Sequence, residues 1–80
     1  MHELGLLREI VKTVEQAAVR NGIDRVRYIT LEIGKDSGVV PLYMKKLFPM
    51  AADALSLLRS TELRITMIRG SRLVIKEIGY

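Results

Sequence analysis

Hydrophobic residues along the first quarter of the chain recur at three- and four-residue intervals. Leu7, Ile10, Val11, Val14, Ala17 and Ala18 fall on one face of a helix, and Arg8, Glu9, Lys12, Glu15 and Gln16 lie mostly outside it. The pattern predicts an amphipathic helix over residues 3–20. Glu3 sits in its first turn, where a negative charge opposes the positive end of the helix dipole. Asn21-Gly22 ends it, because both residues tolerate the left-handed conformation of a helix C-terminus.

The period then changes to two. Ile29, Leu31 and Ile33 alternate with Tyr28, Thr30 and Glu32, which predicts a strand over 25–34. Val26 is out of phase with them, so a bulge or the start of the strand is expected near Arg27. Residues 34–38, Gly-Lys-Asp-Ser-Gly, read as a loop. Pro41 suits the first position of a second helix, and Met44, Leu47, Phe48, Ala51, Ala54, Leu55 and Leu58 keep the helical period. Pro49 interrupts that run by removing a backbone donor, so two helical pieces are expected, roughly 41–48 and 49–58.

Residues 62–68 and 72–79 read as two further strands. Leu63, Ile65 and Met67 share one face of the first. Leu73 and Ile75 share one face of the second, which Ile78 rejoins only through a bulge. If the two strands pair, matching Met67 with Leu73 and Ile65 with Ile75 keeps their faces consistent and leaves a turn of about three to five residues around Arg69-Gly70-Ser71. The order α-β-α-β-β implies an α+β two-layer sandwich, a three-stranded sheet with two helices on one face. Were the first two strands parallel, the helix between them would make a right-handed crossover.

Length and charge narrow the reading. Eighty residues make a single domain over 1–80, and a chain of that size buries only about 60–65% of its unfolded surface. No apolar run approaches the roughly 18–20 residues of a membrane span, and no signal-peptide pattern opens the chain, so no membrane partner and a cytoplasmic location are expected. A formal charge of +4 invites a nucleic-acid reading, yet among the thirteen basic residues only Lys45 and Lys46 are adjacent. A solvated basic surface with no nucleic-acid partner is the plainer expectation. No enzyme is expected either: there is no cysteine, a single histidine and no evident nucleophile–base pair.

The exceptional chemistry lies at the start. His2 directly follows Met1. The Met1 amine, the backbone nitrogens of His2 and Glu3 and the His2 imidazole can close around one ion in a plane. Deprotonated amides in a square-planar array suit Ni(II) or Cu(II) far better than Zn(II) or Mg(II). The Glu3 carboxylate has two readings: a contact to the ion or the imidazole, or a helix-start acid.

Met-His-Glu-Leu at 1–4, Leu-Glu-Ile-Gly at 31–34, Ser-Gly-Val-Val-Pro at 37–41 and Arg-Leu-Val-Ile-Lys-Glu-Ile at 72–78, taken with the α-β-α-β-β order, resemble the HypA family, nickel metallochaperones of NiFe-hydrogenase maturation. The resemblance spans nearly the whole chain. It implies a small cytoplasmic carrier of Ni(II) for hydrogenase or urease maturation, working with a HypB-like GTPase and other hydrogenase maturation factors, with its nickel site at Met1, His2 and Glu3. One departure is large. The family carries a zinc module with two Cys-x-x-Cys pairs between its last two strands. Here that place, about 69–72, holds only a short turn, and with no cysteine in the chain no zinc is expected. The alternatives are a metal-free protein-interaction scaffold, a homo-oligomer paired through exposed strand edges, and a small basic RNA-binding α+β module.

Overall fold

A computed structural model of the protein describes residues 3–80. The first helix, α1, runs Glu3–Arg20 as the periodicity requires and buries Leu7, Ile10, Val11, Val14 and Ala18. Its end is fixed by backbone chemistry. Gly22 takes φ 66°, which lets the Ile23 N–H reach the Ala18 carbonyl at 2.9 Å and the Gly22 N–H reach Val19 at 3.2 Å. These two bonds satisfy carbonyls that the last helical turn leaves open.

The first strand, β1, spans Tyr28–Gly34, shorter than expected at its start. Val26 is buried outside the ladder, its N–H bonded to the Leu57 carbonyl at 2.8 Å. That placement accounts for its phase: the pleat starts two residues later. The second helix, α2, spans Pro41–Ala52 with Pro41 in its first turn. It is not divided at Pro49. Pro49 and Lys45, whose carbonyl loses its donor, are both exposed residues, and the helix continues until the Asp53 N–H bonds back to the Pro49 carbonyl at 2.9 Å. The expected second piece shrinks to a single 3₁₀ turn at Ser56–Leu58. No helix among the described residues is long and apolar enough to cross a membrane.

Strands β2 (Glu62–Ile68) and β3 (Leu73–Gly79) do not pair with each other. β1 lies between them, parallel to β2 and antiparallel to β3. The face argument survives this correction. Met67 and Leu73 both pair with Ile33, and Ile65 and Ile75 both pair with Leu31, so each expected couple shares a row with one β1 residue inserted. Side-chain parity constrains which face a residue occupies and is blind to an intervening strand. The bulge that Ile78 requires is present: the register shifts between Thr30 and Leu31, leaving Lys76 as the extra residue of β3. Ile29, Leu31 and Ile33 are 0% exposed and pack with the buried faces of α1 and α2, so this mixed α+β sheet has its core on the central strand. Met67, near the end of an edge strand, is 40% exposed.

Because β1 separates β2 from β3, residues 69–72 must cross its end, a gap of about 10 Å between outer strands. Three backbone bonds seat the crossing: Gly34 N–H to Arg72 at 2.7 Å, Lys35 N–H to Ile68 at 2.8 Å and Asp36 N–H to Gly70 at 2.8 Å. The approach is so close that a Cβ on Gly34 would overlap the Gly70 carbonyl. Gly70 itself turns with φ 88°.

Gly34→Ala is therefore expected to destabilise the domain by about 2–3 kcal/mol, through backbone overlap with no flexible neighbour to yield. Gly5→Ala, exposed on α1 with nothing within 4 Å of the added carbon, should instead stabilise by about 0.5 kcal/mol. Urea unfolding of the two variants beside the parent checks both signs.

Candidate metal centre

Of the three residues expected to hold metal, Met1 and His2 lie outside the described residues. Glu3 opens α1, and its carboxylate Oε2 accepts the Val40 N–H at 3.2 Å, across 37 positions of sequence. Val40 is the N-cap of α2 and makes no side-chain cap bond. The carboxylate thus supplies a negative charge beside the positive ends of both helices, where it is favoured by up to about 1 kcal/mol per end.

The segment that presents Val40 is built for the purpose. The Ser37 N–H bonds to Gly34 at 3.0 Å, and Ser37 Oγ accepts the Val39 N–H at 3.2 Å. Gly38 takes φ 80°, a conformation that favours glycine. Pro41 then starts α2 with its ring already at helical φ. Gly34, Gly38 and Pro41 are therefore turn and helix-start residues. The crossing at 69–72 is bonded to Gly34 and Asp36, so it lies at this same end of the molecule. The starts of α1 and α2, the 35–40 loop and the 69–72 connection all converge there.

Sequence reasoning placed Glu3 in the first turn and did not find its bond to Val40. A contact between segments so far apart leaves no periodicity in a single chain. Among the described residues no group of three His, Cys, Asp or Glu side chains is placed to hold a metal ion. The open face of the sheet offers little to stack bases on. Tyr28 lies under the Arg64 guanidinium at 3.9 Å, and Arg64 is also bonded through Nε to Glu62 at 2.8 Å. Of the other three aromatics, Phe48 is in the core, Tyr43 is on α2, and Tyr80 is exposed just after β3.

Residues 1–77 match the HypA family model, described as hydrogenase/urease nickel incorporation, metallochaperone. Two curated relatives are named hydrogenase maturation factor HypA. That of Geobacter metallireducens is 36% identical over 78 residues, covering 98% of this chain and 58% of the relative. That of Chloroflexus aurantiacus is 32% identical over 78 residues, covering 98% and 59%. The chain thus spans under two thirds of the length of these relatives. The solution structure of the Ni metallochaperone HypA from Helicobacter pylori superposes with a TM-score of 0.81 at 15% identity, over 96% of this chain and 72% of that one. A second HypA solution structure gives 0.73, also at 15% identity, over 96% and 71%. At that identity the likeness is one of fold.

Removing the Glu3–Val40 link has a defined expected effect. Glu3→Ala should lower stability by about 0.5–1.5 kcal/mol and speed hydrogen exchange at the Val40 amide, leaving exchange in β1 in step with the global change. Exchange at Val40 no faster than the global loss would show that the bond does not hold the two helix starts together.

Proposed function

This chain belongs to the HypA family of nickel metallochaperones for hydrogenase maturation, proteins that carry metal rather than catalyse a reaction, and from that premise we propose that it is a nickel-binding domain whose first three residues hold Ni(II) as cargo. The Met1 amine, the His2 imidazole and backbone nitrogen and the Glu3 backbone nitrogen make up the square of donors. On the family resemblance, the 69–72 connection takes the place of the zinc module expected between the last two strands. Delivery is to hydrogenase maturation, with a HypB-like GTPase as the partner, and urease is a second recipient class. These readings extend from the family to this chain.

The observation that carries the proposal is the Glu3–Val40 bond. It roots the start of α1 against the 37–41 segment, so the backbone at Glu3 has a fixed setting beside the start of α2. Charge balance favours an amide chelate at that point over other cation sites. Two helix N-termini disfavour a bare dication. Ni(II) bound by two deprotonated amides, an amine and a neutral imidazole carries no net charge, so the dipoles exert little penalty on it. Backbone nitrogens at the start of a helix also lie outside its ladder of i→i−4 bonds.

Calorimetric titration of Ni(II) into protein with the untagged N-terminus tests this, beside His2→Ala and a chain carrying one extra residue before Met1. One ion per chain is expected in the parent alone, with at least two protons released per ion and affinity rising with pH, since the two amides must ionise. Equal binding by all three chains would place the metal elsewhere and remove the proposal.

A further inference from the structure

The end of the molecule opposite Glu3 carries a different chemistry. β1 and β2 begin there, and the segments leading into them are laced together. Val26 N–H bonds to Leu57 at 2.8 Å, Thr61 Oγ1 to the Val26 carbonyl at 2.7 Å, and Glu62 N–H to the Arg27 carbonyl at 2.9 Å. Val26 is buried between Arg25 and Arg27, so the extended chain throws both arginines outward to the same side. Arg25, Arg27 and Ser60 line one cleft there, of about 370 Å³. A second of about 270 Å³ shares Arg25 and Ser60 with it and adds Asp24, Ser56 and Arg59. The two ion pairs among the described residues are Arg64–Glu62 and Lys76–Glu32, so no carboxylate holds any of the three cleft arginines.

We propose that this double cleft binds the phosphate group of a small molecule, of the phosphomonoester or diphosphate class. Guanidinium forks match phosphate oxygens two at a time, and a diphosphate offers enough oxygens to engage all three. Ser56 and Ser60 add hydroxyl donors. Asp24 offsets one of the three positive charges and leaves a net two. The backbone bonds hold the arginine-bearing segments in place before any ligand arrives, so binding orders little more than the side chains. The site is independent of the nickel reading and lies at the far end from it.

The test is a ¹⁵N–¹H NMR titration with inorganic diphosphate at constant ionic strength, with inorganic phosphate and a single-stranded RNA as further arms. Saturable shifts confined to residues 24–27 and 56–61 are expected for diphosphate, with a weaker response to phosphate. Arg25→Gln and Arg59→Gln should each lose roughly tenfold in affinity, while Arg69→Gln, at the other end, leaves it unchanged. All three residues are exposed, and the spectra themselves report that each variant is folded. Binding of RNA without diphosphate would overturn the proposal in favour of a nucleic-acid backbone. Unsaturable shifts spread over every arginine, or losses of stability with no ligand effect, would also overturn it and leave these arginines as part of a solvated basic surface.

Discussion

The fold depends on one close contact, the passage of the 69–72 connection over the end of β1. A central strand that is parallel to one neighbour and antiparallel to the other forces the chain to step across it, and the step is only four residues long. Gly34 makes that step feasible because it has no side chain to meet Gly70. The three backbone bonds at Gly34, Lys35 and Asp36 then satisfy groups that the end of β1 would otherwise expose. With the connection seated, β2 and β3 are held against a strand whose inner row is fully buried, and α1 and α2 have a complete surface to cover.

The same contact organises the end of the molecule at which Glu3 lies. Gly34 is both the last residue of β1 and the acceptor for Ser37, so the crossing and the 35–40 loop are fixed to one point. The loop turns through Gly38 and offers Val40 to Glu3. In this way the 37–41 segment has a mechanical role: it starts α2 and holds the start of α1 beside it. With no cysteine in the chain, neither a disulfide nor a thiolate metal site can do this, and the backbone network around Gly34 takes that place. What the end of the molecule lacks, among its described residues, is a set of side chains able to bind a metal.

Most of the fold was legible in the sequence because it follows from local periodicity. The span of α1, its Gly22 stop, the faces of all three strands and the need for a bulge before Ile78 could be read from single segments. Two features were not. The sheet order depends on which strands become neighbours, and the rows Met67–Leu73 and Ile65–Ile75 satisfy the same parity whether β1 lies between them or not. The continuity of α2 through Pro49 depends on that residue facing water, which the apolar pattern only suggests. At the candidate site, the opening tripeptide was visible as chemistry, and the bond from Glu3 to Val40 was hidden by the 37 positions between them.

The central claim is that Ni(II) is held by the chain start and anchored at the Glu3 end of the sheet. The most direct measurement is a ¹⁵N–¹H spectrum of the untagged protein with one equivalent of Ni(II). A square-planar amide chelate is diamagnetic, so sharp signals are expected, with shifts confined to the first turn of α1, the 35–40 loop and the 69–72 connection. Paramagnetic broadening, or shifts centred on the opposite end of the molecule, would contradict it.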